Sequence, residues 1–438
     1  MTRRWAHALC AMTVLSLAAC QSDDVTSNGP SSQGDFARYV AMGTSISMGV
    51  QNGDNAVLYS TQLTSWPAQL ARQAGARSFN LPLLRGPGCF PQLIAPLALA
   101  RTLNRTPPGD TTCAGLLFGT PAPSATFVAN NVAISGATTA YALRITPELA
   151  TSDSASLIFP RPPAPQALNI SAVFRRKAYP LILPPGKTQV TAMLQQDPTF
   201  VSVELGANDV LGTASGIAIP GVTFVPLSVW QPDYDQIIDS VASTGAKAIL
   251  VTVPNISNII GMRRGEELFA DSLAFRTNYK VNISSNCAGN QNLIFTSQKV
   301  PGFVSAAAGS PTPITLSCAD APGTVDLILS PAEVGVVTAT VGDMNAHIVA
   351  VAAERGWALL DANAVLTEFV NLKPTYSVVK QLTCVRPYGQ FIGLDGVHPN
   401  AAGQTKIANA AIVAINAMYD FDIPLVGITN LDPTSVCP

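Results

Sequence analysis

Five short apolar runs constrain this chain most, because each one stops at a turn signal. Residues 39–42 are stopped by Gly43, 132–134 by Ser135 and Gly136, and 200–205 by Gly206. Residues 248–253 are stopped by Pro254 and 357–360 by Asp361. Helical or loop-rich stretches separate the runs, not tight hairpins. Such spacing predicts an α/β fold with a parallel sheet covered by helices on both faces. Ligands bind beyond the carboxyl ends of strands in sheets of this kind, so the turns after the runs should share one rim.

The helical periodicity fits that frame. A helix is expected over residues 65–74, with Pro67 in its first turn and Gly75 ending it. Another is expected over 336–354, with Gly342 a weak point, and a last one over 400–419. In the last helix Asn400 is the expected N-cap, and Ile407, Ala411, Ala414 and Ile415 mark the buried face. Long insertions rich in Pro, Ala, Ser and Thr lie at about 82–128, 140–185, 211–230 and 257–330. Connections of that length are lids or binding surfaces more often than empty loops. Residues 35–438 read as one domain with these insertions; the alternative is a small second domain at about 257–330.

The first 19 residues read as an export signal, not as part of the fold. Arg3 and Arg4 precede an apolar run from Ala8 to Ala19 that is too short to span a bilayer. It ends Leu17-Ala18-Ala19-Cys20, which resembles the bacterial lipobox and implies a lipid on Cys20. Gln21 after the Cys favours an outer-membrane destination in a Gram-negative host. Residues 20–34 are polar and rich in Ser, Asn and Gly, as a solvated tether would be. The expected partners are therefore a membrane, through the anchor, and a small-molecule or lipid substrate.

Removing residues 1–19 takes two of 25 basic residues and none of 27 acidic ones, leaving a formal charge of −4. With no basic patch to grip phosphates, nucleic acid is not an expected partner. No later stretch reads as apolar for long enough to cross a membrane. An apolar content of 47% with 12% charged residues supplies a large core and leaves apolar surface over.

Six cysteines remain beyond Cys20: Cys89, Cys113, Cys287, Cys318, Cys384 and Cys437. An even count in an exported chain points to disulfides, with 15 possible connectivities. The nearest-neighbour set is Cys89–Cys113, Cys287–Cys318 and Cys384–Cys437. A metal site is disfavoured: there is no C-x-x-C, and only His347 and His398 follow the signal.

Three segments carry candidate chemistry. Gly43-Thr44-Ser45-Ile46-Ser47-Met48-Gly49 follows the first run, and a Ser on such a turn is lifted above the sheet and exposed. A serine needs a base to become nucleophilic. Asp395-Gly396-Val397-His398-Pro399 supplies one. Asp395 can orient one imidazole nitrogen while the other takes the serine proton. His347 lies on a predicted helix and reads as a helix-face residue. Ser47 is the alternative nucleophile. Gly206-Ala207-Asn208-Asp209 follows the third run, and an Asn amide at a strand end can donate to a developing oxyanion. Other patterns fail: Pro185-Gly186-Lys187-Thr188 lacks the leading Gly of a phosphate loop, and Gly86-Pro87-Gly88 lacks the third Gly of a dinucleotide fingerprint.

Gly43-Thr44-Ser45 with Gly49, Ser135-Gly136-Ala137, Gly206-x-Asn208-Asp209 and Asp395-x-x-His398-Pro399 together resemble the four ordered blocks of the GDSL lipases, or SGNH hydrolases. The resemblance covers most of residues 36–418, insertions aside, and is nearest to the longer bacterial lipoprotein members. It implies a three-layer α/β/α fold with a five-stranded, flavodoxin-like parallel sheet, and ester hydrolysis without metal or cofactor. It also implies Ser45 as nucleophile, His398 as base and Asp395 as its orienting acid. The oxyanion hole would come from Ser45 N–H, Gly136 N–H and Asn208, with Gly86 and Gly88 as alternatives to Gly136. One position departs: the family usually has Asp where this chain has Thr44. Expected activities are an esterase or lipase, or else a carbohydrate acetylesterase. The Thr44 departure motivates a third reading, an inactive surface-anchored binding protein.

Overall fold

The computed structural model describes residues 33–52, 58–85, 92–99, 115–152 and 177–427. The signal segment, Cys20 and most of the tether lie outside the described residues, as do Gly86, Gly88, Cys89, Cys113 and Cys437.

Numbered in chain order, the described strands are β1 (Tyr39–Gly43), β2 (Phe200–Glu204), β3 (Lys247–Val251), β4 (Met262–Arg264), β5 (Val281–Ile283), β6 (Leu293–Phe295), β7 (Ile314–Leu316), β8 (Ile328–Leu329) and β9 (Ala358–Leu360). The main sheet is wholly parallel and has four strands in the order β1-β2-β3-β9. Four of the five apolar runs thus form the strands, and the fifth strand expected from residues 132–134 is not one. That segment still runs beside β1. The Ala41 N–H donates to the Asn130 carbonyl at 2.8 Å, and the N–H groups of Val132 and Ile134 donate to Ala41 and Gly43 at 2.9 and 3.0 Å. The rung that would complete the ladder is missing because the Gly43 N–H donates at 3.1 Å to the side chain of Gln189 instead.

Strand side chains alternate between two buried clusters, as a period of two requires. Val40, Met42, Val201, Val203, Ala248 and Leu250 face one, with residues from the helices Leu227–Ala242 and Pro331–Arg355. Tyr39, Ala41, Phe200, Ile249, Ala358 and Leu360 face the other, with the helices Trp66–Gln73 and Ala401–Tyr419. Helices therefore cover both faces of the sheet. Asn400 caps the last helix, its side chain accepting from the N–H groups of Ala402 and Gly403.

Two sequence expectations change here. The helix Pro331–Arg355 is long and apolar enough, by length and composition, to cross a membrane. In the fold Val337, Val341, Met344 and Ile348 bury one face of it in the core. The 257–330 insertion is not a loop. It builds a small antiparallel sheet, β4-β6-β8, and a parallel pair, β5-β7, around its own buried cluster with Leu268, Phe275, Ile294 and Leu316. Tyr376, Val378 and Leu382 join that cluster. A disulfide joins Cys287 to Cys318 within it, as the nearest-neighbour pairing expects. Cys384 is also disulfide-bonded, and the expected pairs Cys384–Cys437 and Cys89–Cys113 fall outside the described residues.

Candidate active site

Ser45 opens a four-residue helix, Ser45–Met48, directly after β1. The approach to it is tight. A Cβ on Gly43 would lie 2.6 Å from Ser47 Oγ and 2.9 Å from Glu204 Oε2, so no larger residue fits. Register explains the crowding: Gly43 pairs with Glu204, the last residue of β2.

Glu204 is buried, and its carboxylate is the floor of the turn. It accepts from the Thr44 N–H at 2.9 Å and from the Thr44 hydroxyl at 2.7 and 2.9 Å. It also accepts from the Ser47 N–H at 3.2 Å and the Ser47 hydroxyl at 3.0 Å. Burial pushes the Glu204 carboxyl above its ordinary range, and the donors from Thr44 and Ser47 offset part of the rise. Other side chains hold the rest of the turn. Asn131 donates to the Ser47 carbonyl at 2.8 Å, and Gln404 donates to the Ile46 carbonyl at 3.1 Å. The Trp66 indole donates to Ser47 Oγ at 3.1 Å. Ser47 is therefore committed beneath the turn and does not face His398.

Thr44 has its physical reason in this arrangement. Its hydroxyl is a donor to a buried carboxylate, where an Asp would bring a second negative charge onto the first.

His398 reaches Ser45 from the far end of the chain. Its Nε2 lies 2.8 Å from Ser45 Oγ, and its Nδ1 lies 2.6 Å from Asp395 Oδ2. The second oxygen of Asp395 accepts from the N–H groups of Val397 and His398, both at 2.9 Å. The acid thus folds its own turn and orients the ring at once. Burial raises the Asp395 carboxyl, but the His398 ring and those two N–H groups outweigh it and hold the group below the usual carboxylate range. The turn is tied down by bonds from Gly393 N–H to the His398 carbonyl at 2.8 Å and from Leu394 N–H to Asn52 at 2.9 Å. Gly261 N–H donates to Gly396 at 2.7 Å. Ser45 is 6% exposed, not open as the sequence suggested, because the imidazole lies against its hydroxyl.

The other two blocks meet beside it. Gly136 has φ +76°, following the segment paired with β1. The preceding N–H, of Ser135, points at the Met48 sulfur at 3.4 Å, which seats this turn on the Ser45 helix. Asn208 donates to the Ala137 carbonyl at 2.9 Å. Asp209 accepts from the N–H and hydroxyl of Thr139 at 2.9 and 3.0 Å. Burial pushes the Asp209 carboxyl up to about 7, with the Thr139 donors pulling against it. Gly206 has φ +111°, and a Cβ there would lie 2.5 Å from Val253, so the backbone at this strand end is open only to glycine. Among the described residues, no acceptor takes the N–H of Ser45 or of Gly136. Both remain free to donate to a bound group.

An imidazole so placed can draw the proton from Ser45 while its other nitrogen stays bonded to a carboxylate. His347 takes no part: its Nε2 is 2.6 Å from Asp235, with Trp230 and Tyr234 edge-on to its ring. Among the described residues, no group of three or more His, Cys, Asp or Glu side chains is placed to hold a metal. Sequence reasoning missed Glu204, Gln189, Asn131 and Gln404. The one signal was Glu204 itself, a charge at the end of a run otherwise fit for burial.

The chain matches no protein-family model, no curated protein and no solved structure.

Proposed function

We propose that this protein is a serine esterase that hydrolyses carboxylic esters through an acyl-enzyme on Ser45. The observation that carries the reading is the unbroken hydrogen-bond chain from Ser45 Oγ through both nitrogens of His398 to Asp395. Ser45 Oγ attacks the ester carbonyl as His398 Nε2 takes its proton. Asp395 stabilises the resulting imidazolium. The N–H groups of Ser45 and Gly136 and the Asn208 amide donate to the oxyanion. His398 then protonates the departing alcohol. Water, losing a proton to the same nitrogen, cleaves the acyl-enzyme and releases the acid. No metal or cofactor enters these steps.

The Thr44 departure does not favour an inactive binding protein, because the Thr44 hydroxyl is bonded to Glu204 and the proton-transfer set is complete. The Cys287–Cys318 disulfide fits an oxidising compartment and so supports export. The high apolar content favours acyl lipids and hydrophobic esters over acetylated glycans as substrates.

A fluorophosphonate probe tests the nucleophile. It should label the wild-type protein and leave Ser45→Ala unlabelled. Equal labelling of the two would remove Ser45 from the mechanism.

A further inference from the structure

Beside the turn that carries Asp395 lies a cavity of about 210 Å³. Its walls include Arg263, Tyr376, Lys380, Gln381, Arg386 and Tyr388. Three of these side chains are cationic, and no carboxylate lines the space. Arg263, on β4, is 2% exposed. Its Nη1 donates to Glu267 at 3.1 Å and to the Pro374 carbonyl at 3.2 Å, but its Nε has no partner. Arg386 Nη1 and the Tyr376 hydroxyl are likewise buried without a partner. Among the described residues, neither Arg386 nor Lys380 forms an ion pair.

Buried donors in native proteins nearly always find an acceptor, in the protein or in a bound species. Here four unpaired donors, on Arg263, Tyr376, Arg386 and Tyr388, and one unpaired acceptor, Gln381 Oε1, belong to wall residues of one cavity. With Arg263 paired to Glu267, the surplus positive charge is that of Lys380 and Arg386. Water would satisfy donors but not the charge. A guanidinium pair with an ammonium beside it is the donor set that grips a tetrahedral oxyanion. A water molecule takes about 30 Å³ of liquid volume, so the cavity has room for several water-sized groups and thus for such an ion.

The site is connected to the chemistry already described. Tyr388 Cζ lies 3.1 Å from where a Cβ on Gly396 would sit, next to Asp395. Gln381 donates to the Thr296 carbonyl at 2.8 Å, Thr296 N–H donates to Gly261 at 2.9 Å, and Gly261 N–H donates to Gly396. The lining residues come from β4 and from 374–388, so they meet only because the 257–330 lobe packs there.

We propose that this cavity is a binding site for a phosphate group, free or as a lipid headgroup, held by Arg263, Lys380 and Arg386. This inference stands apart from ester hydrolysis, and its readout is binding. Inorganic phosphate titrated at constant ionic strength should give saturable heat by calorimetry and raise Tm. The double variant Lys380→Gln/Arg386→Gln should weaken binding about tenfold or more. Its Tm in phosphate-free buffer should not fall below wild type, since Lys380 is exposed and the buried Arg386 Nη1 has no partner to lose. Lys380→Gln alone, at an exposed residue, should give a smaller loss in the same direction. Phosphatidylcholine vesicles with and without phosphatidic acid separate the two sources. Selective retention on the doped vesicles, lost in the double variant, assigns a lipid headgroup; saturable binding of inorganic phosphate alone assigns the free ion. No saturable binding of either probe, or binding undiminished in the double variant, overturns the proposal.

Discussion

The two turns that meet at Ser45 Oγ are held in opposite ways. The turn at residues 393–400 is largely self-made. Asp395 accepts from N–H groups two and three residues ahead, and Gly393 N–H bonds back to the His398 carbonyl. Asn400 then closes the stretch by donating to the carbonyls of Gln390 and Ile392. The turn at residues 43–49 takes its side-chain support from afar. Glu204, Gln189, Asn131 and Gln404 lie 84 to 358 residues away along the chain from the atoms they hold. One turn builds its geometry from local sequence, and the other borrows it from the assembled sheet. Damage to the first should cost activity before stability. Damage to the second should cost stability first.

The largest expected effect breaks the comparison at its simplest point. His398→Ala should lower ester turnover by about 10⁴-fold. The backbone bonds to Asp395 persist but the ring that offsets its burial is lost, so Tm should fall only modestly. A matching collapse in Tm would mean that this turn is not self-made. Asn208→Ala should lower kcat by about 10²–10³-fold with little change in KM. A loss confined to KM would place Asn208 in substrate binding instead.

Thr44→Asp sharpens the other half. It sets a second carboxylate against Glu204 and should cost about 3 kcal/mol of stability, as an uncompensated buried charge does. Adding Glu204→Gln should return most of that loss, because the amide can donate to the new acid. Chemical denaturation of the four proteins in the cycle gives the coupling. Strict additivity would show that Thr44 and Glu204 do not act as a pair.

The smallest effect is in the pH dependence, where the two carboxylates pull in opposite directions. Asp395 is depressed in the fold, so its contribution is present above the unfolded carboxylate pKa of about 4 and is lost as pH falls through its folded value. Glu204 is raised, so its contribution is fully present below the unfolded value and declines as pH rises towards the folded one. Asp209, raised to about 7, acts in the same sense as Glu204 over the range up to neutrality. Denaturation from pH 4 to 7 should show Glu204→Gln and Asp209→Asn each flattening the decline in stability. Steeper profiles in both would reverse the assigned signs.

Much of the molecule was legible because it is local. Apolar runs ending in Gly, Pro or Asp located β1, β2, β3 and β9 to within two residues. Pro67 and Gly75 bracketed one helix and Asn400 opened another. Residues 132–134 misled for a reason no run of letters displays: the rung that would have made them a strand is taken by Gln189, far along the chain. The 257–330 stretch misled because its strands are three residues or fewer, too short for an alternating pattern to register.

Residue types and their order by themselves determined which groups could do the chemistry. A serine in the turn after a strand, an Asp three residues before a His, and an Asn at another strand end are properties of short segments. What surrounds them was decided only by tertiary structure. That Thr44 is answered by Glu204, that Ser47 is spent beneath the turn, and that two arginines and a lysine line one cavity are facts of register and packing. Strand pairing and lobe docking bring those residues together across more than a hundred positions, and such distances leave no periodic trace in the sequence.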